Sequence, residues 1–294
     1  MVLLKEDFSS GLFGIGDIGG SAPWYYYRRG EFLARDPKAL ISVKKRGLSV
    51  EIQRYTLTSL GQDDHTKFFF LTNAVNKETG FSGYKVPDTG ELFCEVKVTV
   101  QPLGTEKNPF EAFPDDYRLS CGAIVALDPD TQMLCTFFIT DKKAYISYGR
   151  FPYDKKVGNP SAFFTYIKPA LEFERGTEHT YKITYSKDKY LVYWTIDGKN
   201  VFSFDQFGKR MGTEFDEYCV FLDLPDAQTP ETLPPVQSQQ LAFGAGLFTL
   251  LDAGIRHGKE LVNVSDPRIE RDKKLFGQGG KMLISDFIVD TTAG

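Results

Sequence analysis

The chain has 294 residues, 41% of them apolar and 25% charged, with a formal net charge of −4. That balance is ordinary for a globular chain able to bury a sizeable core, and an acidic net charge speaks against a nucleic-acid partner, which requires a basic face to offset phosphate. No stretch reaches the roughly 18 consecutive apolar residues of a membrane-spanning helix, so no membrane partner is expected either. The unusual feature is the aromatic content, 14%, with 25 Phe and 15 Tyr. Large planar side chains favour strands and line clefts that hold rings and sugars.

In chain order, the opening Met1-Val2-Leu3-Leu4-Lys5-Glu6-Asp7 turns acidic at once and lacks a signal-peptide core, which reads as a cytosolic protein. Trp24-Tyr25-Tyr26-Tyr27 is the first dense aromatic run. Apolar and polar residues then alternate with period two, the mark of half-buried strands, over 48–53, 67–72, 92–100, 118–127, 132–140 and 144–151. Helical turns are expected only around 108–113 and 267–275. A three-strand meander follows over 179–185, 190–196 and 199–204, its second turn made by Asp197-Gly198, a pair suited to the positive φ angles of a tight hairpin. Two long irregular stretches, 224–239 with four prolines and 253–280, read as large loops, the kind of segment that shapes binding sites. Cys94, Cys121, Cys135 and Cys219 form no paired motif and are expected as reduced core thiols. The pattern predicts one all-β domain over 1–294, a two-sheet antiparallel jelly-roll sandwich with long loops and little helix.

His179-x-Tyr181-x-Ile183, followed by Val192-x-Trp194-x-x-Asp197-Gly198-x-x-Val201, resembles the back-sheet meander of concanavalin A-like lectins and glucanases. Glu6-Asp7-Phe8-Ser9-Ser10-Gly11 resembles their first strand and 282–289 their last; jelly-roll closure brings those two together. A closer resemblance, carried by His65-Thr66-Lys67, by 246–252 and by 275–279, is to an uncharacterised bacterial and fungal family of similar length. The glucanase likeness lapses where the chemistry would sit. Those enzymes carry Glu-x-Asp-x-x-Glu or Glu-x-Asp-x-Glu on one strand, because retaining hydrolysis needs a nucleophile and an acid on one face. Here Glu91 and Glu95 have Phe93 between them, and Glu214-Phe215-Asp216-Glu217 reads as a turn. Glycoside hydrolysis is therefore not expected.

The best titratable cluster is Asp63-Asp64-His65-Thr66-Lys67, where a carboxylate beside His65 suits acid–base chemistry. His65, Asp64 and Tyr148 are the candidate catalytic residues. Trp24, Tyr25, Arg150, Phe151 and Tyr153 are the candidate ligand contacts, rings to stack a flat or isoprenoid ligand and a guanidinium to anchor its polar end. The bland alternative is that these rings fill the core and that Asp63–Lys67 is a solvated loop. His65, His179 and His257 lie too far apart to form a paired zinc motif. The jelly-roll resemblance implies a structural calcium beside the terminal strands, with Asp7 and Asp286 as its candidate ligands. No Gly-x-Ser-x-Gly elbow and no phosphate loop is present, so no organic cofactor is expected. Two functions follow: a concave cleft that binds a small, largely apolar or aromatic metabolite without a cofactor and directs its cyclisation, isomerisation or dehydration, or a carbohydrate-binding module without catalysis.

Overall fold

The computed structural model describes residues 1–11, 13–44, 47–150, 163–223, 236–254 and 260–292. In chain order the strands are β1 (Val2–Glu6), β2 (Trp24–Tyr26), β3 (Arg28–Arg29), β4 (Phe32–Leu33), β5 (Leu40–Lys44), β6 (Gly47–Ile52), β7 (Thr66–Thr72), β8 (Tyr84–Lys85) and β9 (Glu91–Leu103). There follow β10 (Cys121–Leu127), β11 (Met133–Ile139), β12 (Lys143–Arg150), β13 (Phe163–Glu172), β14 (His179–Ser186), β15 (Leu191–Ile196), β16 (Lys199–Phe204), β17 (Cys219–Asp223), β18 (Gln240–Phe248) and β19 (Gly279–Thr292).

Apart from β3 and β4, which pair with each other, these strands form a two-sheet antiparallel jelly-roll sandwich. One sheet runs β16-β15-β14-β9-β19-β6-β5, with β1 also on β19; the other runs β17-β13-β12-β11-β10-β18-β7-β2, with β8 also on β18. First and last strands pair, Glu6 opposite Phe287. Strand β19 gives the same edge to β6 over Gly280–Ile284 and then to β1, with its register shifting between Ile284 and Asp286. Gly47 makes that crowded junction possible. At φ 121 it adopts a conformation closed to side chains, and a Cβ there would lie 2.0 Å from the Ile284 carbonyl oxygen. The expected hairpin turn is also present, with Asp197 at φ 50 and Gly198 at φ 76.

Alternation sets which side chains meet between the sheets. Leu48, Val50 and Ile52 of β6, Val96 and Val98 of β9, and Phe68 and Phe70 of β7 all turn inward. So do the largest aromatics: Trp24 is fully buried edge-on to Phe70 (5.0 Å) and Phe287 (4.8 Å). The four cysteines are buried free thiols. The helical turn expected at 108–113 is replaced by a loop. The Asn108 side chain donates to the carbonyls of Thr105 and Ala112 and accepts from the amides of Phe110 and Ala112. A side chain that satisfies local backbone groups in this way competes with the helix.

One irregularity breaks the pattern of β7. Thr66 pairs with Phe248 and Phe68 with Leu247, so Lys67 falls out of the alternation. Its ammonium is fully buried and donates to the carbonyls of Leu57 (3.1 Å) and Asp64 (2.6 Å), with the Asp64 carboxylate 3.6 Å away. Burial pushes the Lys67 pKa down to about 8 against the pull of Asp64. An unfolded lysine titrates near 10.4, so between about pH 8 and about pH 10 the unfolded chain holds a proton that the folded chain lacks, and stability rises with pH. The buried phenols of Tyr55, Tyr148 and Tyr181 act in the opposite sense. Burial raises their pKa values, so above about pH 10 the unfolded chain loses protons that the folded chain keeps. The buried thiols of Cys94, Cys121 and Cys135, also raised by burial, act in the same sense as the phenols from about pH 8.5, so the urea midpoint is expected to fall between about pH 8.5 and about pH 10 despite Lys67. In Lys67→Met that fall is expected to be steeper, by a difference on the order of 3 kcal/mol accumulated between about pH 8 and about pH 10.

Candidate functional site

The outer face of the nine-stranded sheet, turned away from its partner, carries the candidate site. Alternation delivers Phe69 and Leu71 from β7, Ala123 and Val125 from β10, and Leu134 and Phe138 from β11, which join a second apolar cluster separate from the inter-sheet core. Gly246 leaves the sheet bare beneath the Phe248 ring: a Cβ there would meet that ring at 2.8 Å. Beside these rings is a cavity of about 70 Å³, walled by Phe69, Val125, Leu134, Phe138 and Phe248 and bordered by Thr136 and His65. Its volume suits one or two water molecules, or the end of a ligand, rather than a whole metabolite. The space is partly open, and wider clefts lie elsewhere, one of about 720 Å³ bordered by Asp7, Lys97, Thr99, Glu178, Lys281 and Ser285 and one of about 390 Å³ bordered by Tyr25, Tyr26 and Arg28.

His65 ends a short 3-10 turn, Gly61–His65, immediately before β7. Its backbone carbonyl accepts the Thr249 amide (2.8 Å), which brings the end of β18 alongside, and three residues later Asp252 reaches the imidazole. His65 Nε2 and Asp252 Oδ1 are 2.5 Å apart, both side chains being about three-quarters buried or more. Burial works to raise the Asp252 pKa, but contact with His65 outweighs it and holds the carboxyl below its ordinary value. A histidine oriented by a carboxylate beside an apolar cavity is able to take up or deliver a proton.

The sequence-derived candidates scatter around this site. The carboxylate on His65 is Asp252, not Asp64. Asp64 points the other way, accepting from the Thr58 hydroxyl (2.5 Å) and the Ser59 amide (2.8 Å), and it faces Lys67. Tyr148 belongs to the inter-sheet core, because even-numbered residues of β12 point inward. It is fully buried against Phe164, Phe204 and Phe207, donates its hydroxyl to the Lys209 carbonyl (2.8 Å) and accepts the Gly208 amide (2.8 Å). Arg150, two residues on, donates Nε to the Thr131 carbonyl (3.0 Å) and pairs with Met133, at the end of the sheet remote from His65. Trp24 is a core residue, whereas its neighbour Tyr25 sits on the outer face, 5% exposed. Phe151, Tyr153 and His257 lie outside the described residues. His179 meets Asp197 at 2.7 Å, and Asp197 also accepts the Thr180 amide, so this second histidine–carboxylate contact fastens the hairpin turn.

Asp7 leaves β1 one step beyond the Glu6–Phe287 pair, which carries it toward Asp286. Its carboxylate accepts the Ser9 amide (2.8 Å), while Asp286 keeps one buried oxygen without a hydrogen bond. Among the described residues no group of three or more His, Cys, Asp or Glu side chains is placed to hold a metal ion.

Two polar groups on the outer face escaped sequence reasoning. Thr136 of β11 and Ser147 of β12 stand directly opposite each other, 1% and 0% exposed, and neither hydroxyl has a hydrogen-bond partner. An unmade buried hydrogen bond costs roughly 1–3 kcal/mol, so each is an anomaly that calls for a cause. In sequence they read as ordinary polar members of strands.

The two carboxylates beside His65 should separate cleanly on mutation. Asp64→Ala strips the acceptor from Thr58 and Ser59 and the counter-charge from Lys67, and is expected to cost about 3–5 kcal/mol in chemical denaturation. Asp252→Asn is expected to cost about 1 kcal/mol or less. In His65→Gln the charge and hydrogen bond of the imidazole are lost while burial, a backbone hydrogen bond and the Lys274 charge still act on Asp252, so its carboxyl pKa in a ¹³C NMR titration is expected to rise.

The fold is similar to that of the catalytic domain of an endo-1,3-beta-glucanase (laminarinase) from Thermotoga petrophila RKU-1, with a TM-score of 0.50 at 13% identity over 100% of this chain and 98% of that one. A GH16 protein of Bacteroides ovatus, solved with a mixed-linkage glucan product, superposes with a TM-score of 0.48 at 11% identity, covering 98% of this chain and 100% of that one. An uncharacterized protein of Acanthamoeba polyphaga mimivirus is 30% identical over 124 residues, 39% of this chain. The match spans 26% of that relative's length. Residues 5–293 match the model of a family of unknown function, DUF6081, and the chain belongs to that family.

Proposed function

We propose that the outer face of the nine-stranded sheet binds the end of a small, largely apolar molecule without an organic cofactor, and that His65 with Asp252 is its proton-transferring pair. The observation that carries this reading is the placement of an ionisable pair, His65 and Asp252, against a cavity whose walls are otherwise almost wholly apolar. Apolar walls supply affinity by desolvation and a few placed polar groups supply orientation. Of the reactions expected from the sequence, isomerisation and dehydration suit one histidine–carboxylate pair, since each needs a proton moved and no external redox partner.

A second reading, an oligosaccharide held without catalysis, draws support from the fold shared with the laminarinase domain. Ring burial weighs against it on this face. Tyr25, Phe69, Phe138 and Phe248 are between 5% and 9% exposed, whereas stacking a sugar requires a ring face open to it.

Methyl NMR tests the two readings together. Butanone and laminaritetraose are titrated separately while the methyl resonances of Val125, Leu127, Leu134 and Leu250, which border the cavity, are followed. Saturable shifts with butanone and none with the sugar are expected. Shifts with the sugar alone would establish the second reading, and silence from both probes would remove this face as a binding site.

A further inference from the structure

We infer that Thr136 and Ser147 form the polar subsite of this face, and that its ligand presents a carbonyl oxygen to their two hydroxyls. The inference rests on the reading of the outer face as a binding site and specifies the chemistry that the site selects. Three observations converge. Thr136 borders the cavity. Ser147 is its cross-strand partner, which puts the two Cβ atoms about 5 Å apart on one face. Neither hydroxyl is engaged by any protein group, although both are more than nine-tenths buried.

Each hydroxyl has one hydrogen to give. Two donors side by side match an oxygen with two lone pairs, as in a ketone, aldehyde, ester or lactone. A hydrocarbon would leave both unmade, and a cation would find no carboxylate among the groups walling the cavity beside Thr136. Phe138, Leu134 and Val125 surround the site with apolar groups, a low-dielectric setting that strengthens the two bonds once they form. His65, with Asp252 behind it, borders the same cavity.

The test compares butanone with the alkene in which a methylene group replaces its carbonyl oxygen, a molecule of nearly the same shape. Wild type is expected to bind the ketone about tenfold more tightly, the worth of two neutral hydrogen bonds. The preference should vanish in the Thr136→Val/Ser147→Ala double variant and survive in Thr136→Ser, which keeps the hydroxyl. Because no internal bond is lost, the thermal midpoint of the double variant without probe should equal or exceed that of wild type. A marked fall in that midpoint would mean that the hydroxyls serve the fold, and would overturn the inference. Equal affinity for the two probes, with a long-lived bridging water seen at Thr136 and Ser147, would overturn it while leaving the apolar site intact. Failure of both probes to bind would remove the site itself.

Discussion

The buried Lys67 ammonium is the interaction on which the position of the site depends. A lysine in a protein interior is stable only if its charge is compensated and its protons are accepted, and here the acceptors lie on the loop that leads into β7. Leu57, Asp64 and the Asp64 carboxylate close around the ammonium, while Asp36, also fully buried, accepts the Thr56 and Leu57 amides on the same loop. Lys274 repeats the device from the other side, donating to the carbonyls of Ser59 and Val264. Val262, two residues before Val264, donates its amide to Leu251, the residue before Asp252. The two lysines thus fasten both chains that meet at the His65–Asp252 contact. The sheet supplies the floor, and this polar knot fixes the loops that stand on it.

Much of the fold could be read from alternation, because one face of each strand meets a core and the other meets water or a second cluster. Strands β6, β7, β9, β11 and β12 lie where period two put them, and Asp197-Gly198 turns as its chemistry requires. Strands β13 and β18 were harder to see. β18 contains Gly244 and Gly246, which weaken a strand signal, yet any Cβ there would strike the neighbouring β7 backbone. Period two also left the aromatic runs ambiguous. It put Tyr148 and Arg150 on one face of β12, as found, but it does not say whether that face meets solvent or the opposing sheet. Which side of a strand becomes core depends on a partner sheet assembled from remote segments.

The site was legible only by half. His65 stood out because it is one of three histidines and precedes three consecutive phenylalanines. Its nearest carboxylates in sequence are Asp63 and Asp64, but adjacent residues in a turn project in different directions. Asp63 is taken by Arg29 (2.6 Å) and Asp64 by the Lys67 knot. The carboxylate that reaches the imidazole comes from 187 positions away. His65 and Asp252 do both fall in segments that carried the resemblance to the uncharacterised family, the one signal that could have joined them. Thr136 and Ser147 gave no signal, since the anomaly is their lack of partners, a property of the assembled structure.

The groups around the cavity also limit the chemistry it can host. Cys121 lies on the same face, but burial pushes its thiol pKa well up, and a protonated thiol is a poor nucleophile. The carboxylates weighed for hydrolysis in the sequence lie away from this cavity. Glu91 and Glu95 project from β9 in the other sheet, where Tyr193 donates to Glu91 and Lys182 pairs with Glu95. Glu214, Asp216 and Glu217 sit in a 3-10 turn, Thr213–Tyr218. Neither group borders the cavity beside His65. Among the described residues bordering the cavity, the ionisable groups are His65, backed by Asp252, and the Tyr27 phenol. On the proposed reading the pair moves a proton on the bound ligand, which accords with a small carbonyl compound better than with a glycosidic bond.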